Sequence, residues 1–217
     1  MSRPLRIFLA GEGTNDIGSY AGDQGYWDPQ QAGFVGAVIR KVAAMLGTTN
    51  WEIVGGIPWK RLCRLDQPKA GARVSQRGDA AAVRQAAFKA TSKAYNADLL
   101  VFVRDTDGDK NRAAEIREGI AVAVGRFETA RPHEPVVAGI VDPVIEAWAL
   151  ALCGERGCER ASKGSVQTRA LKAGVGDKST LALEKVVESA DLERIPGDAT
   201  DLHKWLTALR AVLASRV

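Results

Sequence analysis

Three carboxylates stand at alternate positions, Asp105, Asp107 and Asp109, directly after the apolar run Leu99–Val103. The five residues of that run predict a buried strand. Carboxylates at the carboxyl-terminal edge of a parallel sheet are natural ligands for a hard divalent cation. A solvated Asp–Gly turn is the alternative interpretation, although such a turn does not need three like charges so close together. The pattern therefore makes these acids candidate metal ligands.

The elements that would position these acids follow from the hydrophobic pattern. Strands are predicted at Leu5–Ala10, Trp51–Val54, Leu99–Val103 and Val136–Val141. Helices are predicted at Phe34–Leu46, Asp79–Tyr95, Asn111–Phe127, Val144–Cys153, Gln167–Ala173, Thr180–Ser189 and Ala199–Ala214, and extended loops at Thr14–Pro29 and Gly55–Gly78. Strands that alternate with helices predict an α/β fold: a four-stranded, mostly parallel sheet flanked by helices, with extra helices at the C-terminus.

Further acids follow other strands of the predicted sheet. Right-handed crossovers bring the ends of the strands to one edge, where Glu12 and Asp16 follow the first strand and Asp142 and Glu146 follow the fourth. Acids after three separate strands favour a metal site over a simple turn, because converging carboxylates could hold the two divalent cations that cleave a phosphodiester. Without metal, repulsion within such a cluster should raise the pKa of some of its members.

Length, composition and charge limit the classes of protein to consider. The chain has 217 residues, 46% of them hydrophobic, which suits one domain, or one domain with a small appendage, with a sizeable core. No apolar run approaches the length of a bilayer span, and the N-terminus lacks the apolar region of a signal peptide. We therefore expect a cytoplasmic protein that does not bind a membrane. Cys63, Cys153 and Cys158 lack the spacing of a zinc site, and free thiols are favoured.

Basic residues are concentrated in one part of the chain. The net charge is +4, but the segment from Lys60 to Lys93 holds nine basic residues and only two acidic ones. Such a segment could face the phosphates of DNA or RNA. The alternative is a solvated loop and helix face. The candidate nucleic-acid-binding residues are Lys60, Arg61, Arg64, Arg73 and Arg77.

Two of these motifs together resemble the Toprim fold. They are a strand that ends in Gly-Glu-Gly with an acid four residues after the Glu, in Leu9–Asp16, and a strand that ends in Asp-x-Asp, in Val103–Asp109. The later segment Val141–Leu150 resembles the Ile/Glu/Trp/Leu helix of small stand-alone Toprim-like proteins, the DUF4276 group. Those proteins are similar to the Toprim half of overcoming-lysogenization-defect nucleases. The resemblance covers about residues 5–153, so we expect a Toprim-like domain at 1–153 and a helical extension at 154–217 packed on the same domain.

The resemblance implies phosphodiester chemistry that depends on Mg²⁺ or Mn²⁺, and it gives the acids roles. Glu12 would be a metal ligand or a general acid/base, and Asp105 and Asp107 would hold the cation, so these residues would form the catalytic centre. Asp16 and Glu146 would complete a second metal site. The candidate metal ligands are then Glu12, Asp16, Asp105, Asp107, Asp109 and Glu146.

The leading hypothesis is a metal-dependent nuclease that cleaves DNA or RNA within an anti-phage defence system. We find no ATPase segment in the sequence, so any ATPase would be a partner subunit. One alternative is a non-catalytic Toprim-like subunit that binds nucleic acid or a partner, and another is a metal-dependent phosphohydrolase that acts on a nucleotide. An aspartyl nucleophile of the dehalogenase type would also use an Asp-x-Asp pair, but it leaves Glu12 and Glu146 without a role.

Overall fold

The strands form a parallel sheet in the computed structural model, which describes residues 3–19, 28–65, 78–127, 135–175 and 180–215. They are β1 (Leu5–Gly11), β2 (Trp51–Pro58), β3 (Leu99–Asp105) and β4 (Val136–Val141). Their order across the sheet is β2-β1-β3-β4, and each neighbouring pair is parallel. The predicted α/β class with a four-stranded sheet is thus confirmed, and the sheet is parallel throughout.

Helices connect and flank these strands. In the described part of the chain they are α1 (Thr14–Ile17), α2 (Gly33–Leu46), α3 (Trp59–Leu65), α4 (Asp79–Ala90), α5 (Lys110–Val124), α6 (Ile145–Leu152), α7 (Lys163–Lys172), α8 (Thr180–Ser189) and α9 (Thr200–Ala214). A short 3-10 helix, Pro29–Gln31, precedes α2. Among the described residues, no helix is both long and apolar enough to cross a membrane.

The central strands contribute to two separate cores, because successive side chains of a strand point to opposite faces of the sheet. Leu9 and Val101 lie in the first core, which α2 and the helices α6 to α9 cover. Phe8 and Phe102 lie in the second core, which α3, α4 and α5 cover. Burial on both faces explains why Ile7–Ala10 of β1 and Leu99–Val103 of β3 are continuous apolar runs in the sequence.

Three aromatic rings anchor the C-terminal helices to the first core. Phe34 of α2, Trp148 of α6 and Trp205 of α9 have ring centroids between 5.2 and 6.5 Å apart. Gly139 of β4 leaves room for Trp148, since a Cβ at that glycine would lie 2.7 Å from the indole ring. Helices of the predicted extension at 154–217 therefore share a core with the sheet.

The predicted loop at Gly55–Gly78 is wrong over its first part. β2 continues to Pro58, which still pairs with β1, and α3 follows at once. Trp59 and Leu62 are buried in the second core, so tertiary packing overrides a composition that is rich in Gly, Pro and Arg. Residues 66–77 of the predicted loop lie outside the described part of the chain.

A side chain at Gly33 should harm the fold. The φ of Gly33 is +65°, and a Cβ there would lie 2.3 Å from the backbone nitrogen of Gly18. Gly47 has a similar φ of +68° but open space around it, which makes it a matched control. We expect Gly47→Ala to lower the free energy of unfolding by about 1–2 kcal/mol. Gly33→Ala should lower it by more, because the contact between α1 and α2 must also open. Denaturant unfolding measures both losses, and equal losses would contradict this account.

Candidate active site

A pocket of about 280 Å³ lies at the edge of the sheet where β1 and β3 end. Lys60, at the start of α3, and Lys163, at the start of α7, line it. The pocket therefore combines carboxylates from separate chain segments with two lysines. Five of the six predicted metal ligands line it: Glu12, Asp16, Asp105, Asp107 and Glu146.

Asp16 is held on α1, a helix that the sequence pattern did not predict. Its carboxylate accepts a hydrogen bond from the backbone N–H of Glu12, and its side chain packs where Gly11 has no Cβ. Gly33 of α2 packs closely against the backbone of Asp16. Burial, with added repulsion from Glu146, raises the pKa of Asp16 from 3.8 to about 7.

Helix α8, in the C-terminal part of the chain, forms hydrogen bonds that hold α1 and the start of α2 in place. The hydroxyl of Thr180 donates a hydrogen bond to the carbonyl oxygen of Thr14 over 3.2 Å. The carboxylate of Glu184 accepts a hydrogen bond from the N–H of Gly33 over 2.7 Å. Glu184 is buried, and this burial raises the pKa of its carboxyl group. The position of Asp16 thus depends on a helix far from the motif that predicted it.

Asp105 is the last residue of β3 and lines the pocket from the centre of the sheet. Burial raises its pKa from 3.8 to about 8, and repulsion from Asp16, Glu146 and Asp107 adds to the rise. A hydrogen bond from the backbone N–H of Ile145 acts in the opposite direction. The expected rise in pKa among clustered acids is therefore present, although burial contributes more to it than repulsion.

Glu146 lies in the first turn of α6 and is 5% exposed. Its charge contributes to the raised pKa of both Asp16 and Asp105, so carboxyl groups from α1, β3 and α6 converge. Trp148, which is fully buried in the first core, fixes α6 against the sheet. The packing of one face of α6 therefore presents Glu146 to the pocket.

The other two carboxylates of the pocket, Glu12 and Asp107, are more exposed and are paired with basic side chains. Asp107 accepts hydrogen bonds from Lys163 and from Arg112, both over 2.7 Å. These bonds hold the pKa of Asp107 below its usual value. Glu12 forms an ion pair with Arg104. The pocket thus contains two kinds of carboxyl group. The raised pKa of buried Asp16 and Asp105 favours their protonated form, whereas the more exposed Glu12 and Asp107 form ion pairs with basic side chains.

Asp109 and Asp142 are not among the described residues that line the pocket. Asp109 caps α5 by accepting a hydrogen bond from the N–H of Asn111 over 2.9 Å. Asp142 accepts a hydrogen bond from the hydroxyl of Thr106 over 2.6 Å, which ties the loop after β3 to the end of β4. This geometry gives no support to the predicted role of Asp109 as a metal ligand.

Lys60 is the predicted nucleic-acid-binding residue that lines the pocket within the described part of the chain. Arg61 follows it on α3 but is not among the lining residues that the structure describes. The side chain of Arg64, and Arg73 and Arg77 altogether, lie outside the described residues.

Lys163 was not predicted, because it precedes the helix that the sequence pattern placed at 167–173. The signal that could have found it is Ser162, whose side chain caps α7 by accepting a hydrogen bond from the N–H of Ser165. A helix that begins at residue 163 places Lys163 in its first turn, within 2.7 Å of a carboxylate oxygen of Asp107.

The donor set fits a hard divalent cation. Asp16, Asp105 and Glu146 offer carboxylate oxygens in one pocket, the ligand type that Mg²⁺ and Mn²⁺ prefer. As the side chains stand, no group of three or more Asp, Glu, His or Cys residues in the described part of the chain is already arranged to hold an ion. Because burial raises the pKa of Asp16 and Asp105, binding of a cation would be accompanied by loss of their protons.

Comparisons of the chain with protein-family models, with curated proteins and with solved structures found no match. The resemblance to Toprim proteins therefore remains a prediction from sequence motifs. Since a fold alone does not define an activity, function must be inferred from the chemistry of the pocket.

The buried acids should make the stability of the metal-free protein depend on pH. In the unfolded chain Asp16 and Asp105 titrate near 3.8, whereas in the folded protein their pKa values are about 7 and about 8. The folded state therefore holds more protons between these limits. The stability that this adds is fully present below the unfolded pKa and is lost as the pH rises through the folded values.

Calorimetric unfolding at about pH 5 and about pH 9 should show this loss in wild type, with a fall in Tm of about 2–4 °C for each kcal/mol. Asp105→Asn should reduce the fall, because the amide cannot ionise. Mn²⁺ should raise the Tm of wild type more at the higher pH, where protons no longer compete for the carboxylates. A pH dependence that is identical in wild type and Asp105→Asn would contradict the assignment.

Proposed function

We propose that this protein is a metal-dependent nuclease that hydrolyses phosphodiester bonds in DNA or RNA. The observation that carries the proposal is the convergence of buried Asp16, Asp105 and Glu146 in a pocket that also holds Lys60 and Lys163. Buried like charges are unfavourable unless protons or cations neutralise them. Their place at the carboxyl edge of a parallel sheet, where α/β proteins bind ligands, supports a functional role over a structural one.

In this proposal Asp16, Asp105 and Glu146 hold Mg²⁺ or Mn²⁺, and Glu12 and Asp107 lie in the same pocket to complete the ligand set. The chemistry that such cations supply when bound is activation of water and stabilisation of the leaving oxygen. Two lysines from different helices, α3 and α7, provide positive charge in the pocket for the oxygens of a substrate phosphate.

The lining of the pocket favours a polymer as substrate over a free nucleotide. A nucleotide hydrolase would need aromatic or amide groups that hold the base. Asn15 is the amide among the described lining residues, and no aromatic side chain is among them. Lys60 also begins the basic segment 60–93, whose charge suits a phosphate backbone that continues beyond the pocket.

The proposed setting is a cytoplasmic anti-phage system with a separate ATPase subunit. The compartment is proposed from the sequence, in which the spacing of Cys63, Cys153 and Cys158 favours free thiols. The motif resemblance supports the ATPase partner, and a candidate ATPase therefore forms one arm of the assay below.

Asp105→Asn should abolish cleavage while it stabilises the metal-free fold at neutral pH, because it removes a buried carboxyl group whose pKa is raised to about 8. The loss of cleavage should be at least about 100-fold, the upper range for a residue that only supports a metal ligand. End-labelled single- and double-stranded DNA and RNA are incubated with Mg²⁺, Mn²⁺ or Ca²⁺, with and without the ATPase. Ca²⁺ should fail, because it is larger and accepts irregular geometry. Asp191→Asn, the same change at an exposed site, is the control.

Each outcome of this assay has a definite meaning. Cleavage that is undiminished in Asp105→Asn comes from a contaminant or a different site and rejects the proposed mechanism. Absence of cleavage by wild type in every metal, with and without the ATPase, together with retained binding of nucleic acid, selects the non-catalytic binding subunit instead.

Lys60→Gln should weaken nucleic-acid binding and make it less dependent on salt. One phosphate contact fewer should lower the slope of log K against log salt concentration by about one unit. Lys204→Gln is the matched control, because Lys204 is exposed on α9, outside the basic segment, and is not among the described residues that line the pocket. Fluorescence anisotropy with labelled oligonucleotides at several salt concentrations measures both slopes. Equal slopes in the two variants would mean that Lys60 makes no phosphate contact and lies on a solvated helix face.

A further inference from the structure

We infer that Arg104 is a positioning residue that fixes Glu12 at the pocket, and that Asp79 and Trp59 hold Arg104 in place for it. The inference deepens the proposed function and rests on it for the metal-binding and activity measurements. The contacts themselves are properties of the metal-free protein, so they can be tested separately.

The alternation of β3 separates Arg104 from its neighbour in the sequence. Asp105 lines the pocket, whereas the preceding side chain, Arg104, lies toward the second core between α3 and α4. Its guanidinium carbon lies 5.3 Å from the ring centroid of Trp59, and its Nε lies 3.1 Å from a carboxylate oxygen of Asp79. The side chain of Arg104 is only 13% exposed. A guanidinium held by an aromatic face and a buried carboxylate has little freedom to move.

Asp79 is itself fixed by several contacts. It accepts a hydrogen bond from the indole N–H of Trp59 over 2.7 Å, and it forms an ion pair with Arg112 over 3.1 Å. Its own backbone N–H donates to Glu115 over 2.9 Å. Because these partners come from α3 and α5, the second core supports Asp79 and, through it, Arg104. Satisfied buried networks of this kind are rigid.

Glu12 is the exposed end of this chain of contacts. Its side chain is 43% exposed, and its carboxylate pairs with Arg104. Its backbone N–H donates to Asp16, a buried acid of the pocket. A glutamate on a loop otherwise loses side-chain entropy when a ligand fixes it. The ion pair with a rigid arginine orders Glu12 before any cation arrives, so the pocket is partly preorganised.

Removal of Arg104 distinguishes positioning from simple charge. If Arg104 acted only as a nearby positive charge, its loss would strengthen Mn²⁺ binding, because like charges repel. If it positions Glu12, its loss should weaken Mn²⁺ binding about tenfold, the usual effect of losing a residue that orients a metal ligand. The two roles therefore predict changes of opposite sign.

The experiment is a calorimetric Mn²⁺ titration of wild type, Arg104→Gln and Arg104→Lys, with Arg210→Gln as control. Arg210 pairs with Glu193, lies outside the basic segment and is not among the described residues of the pocket. We expect about tenfold weaker binding in Arg104→Gln. We expect a smaller loss in Arg104→Lys, which keeps the charge but lacks the planar fork. Cleavage should show a raised half-saturation concentration of Mn²⁺ with a smaller change in kcat. Unchanged or tighter Mn²⁺ binding in Arg104→Gln overturns the inference.

A double-mutant cycle in metal-free protein keeps the inference testable apart from the nuclease proposal. Glu12→Gln, Arg104→Gln and the double variant are unfolded thermally, and the Tm shifts should be non-additive, because the second substitution removes a partner that is already lost. Additive shifts overturn the inference even if wild type cleaves nucleic acid. Wild type that binds no Mn²⁺ rejects the proposed function, while a non-additive cycle still upholds the contact between Arg104 and Glu12. If Arg104→Gln does not fold, Arg104→Lys replaces it in the cycle.

Discussion

The parallel hydrogen bonding of β1 to β3 is the constraint on which the rest of the site depends. Ile7 pairs with Leu99 and Ala10 pairs with Phe102, so the two strands run in the same direction and end at one edge of the sheet. The chain that leaves β1 therefore brings Asp16 close enough to Asp105 for its charge to raise the pKa of Asp105. β4 pairs with the far side of β3, again in parallel, and its continuation delivers α6 and Glu146 to the same pocket. An antiparallel pairing at either ladder would send these acids to opposite edges.

The charge of the carboxylates in the pocket is reduced in two physically different ways. Asp16 and Asp105 lie where loss of water favours the protonated acid. Glu12 and Asp107 are more exposed, and arginine and lysine side chains neutralise them. A cation that entered the pocket would compete with protons for the first pair and with Lys163 and Arg112 for Asp107, while Arg104 keeps Glu12 in place. Lys163, once displaced from Asp107, would then become available to phosphate oxygens.

Local sequence patterns predict the strands and the acid positions well, whereas contacts between distant segments escape them. β4 and α8 have the predicted bounds, and five of the predicted acids meet because strand direction fixes the edge: Glu12, Asp16, Asp105, Asp107 and Glu146. Helix α3 was not predicted, because burial of Trp59 and Leu62 in the second core stabilises it more than local propensity does. Asp79 was predicted as the first residue of a helix, but its carboxylate binds Trp59 and Arg104, which no local pattern connects to it.

The helices after α6 cover one face of the sheet and also contact the residues that form the pocket. Lys163 of α7 binds the acid loop that follows β3, and Glu184 of α8 binds the start of α2 beside α1. Trp205 of α9 packs on Trp148, the residue that seats α6 in the first core. Because α6, α7, α8 and α9 contribute side chains to one core, we expect a change in the packing of any of these helices to affect the others and the buried acids beside them. Residue 153 therefore marks where the resemblance to Toprim motifs stops, while the packing that holds the pocket continues through α9.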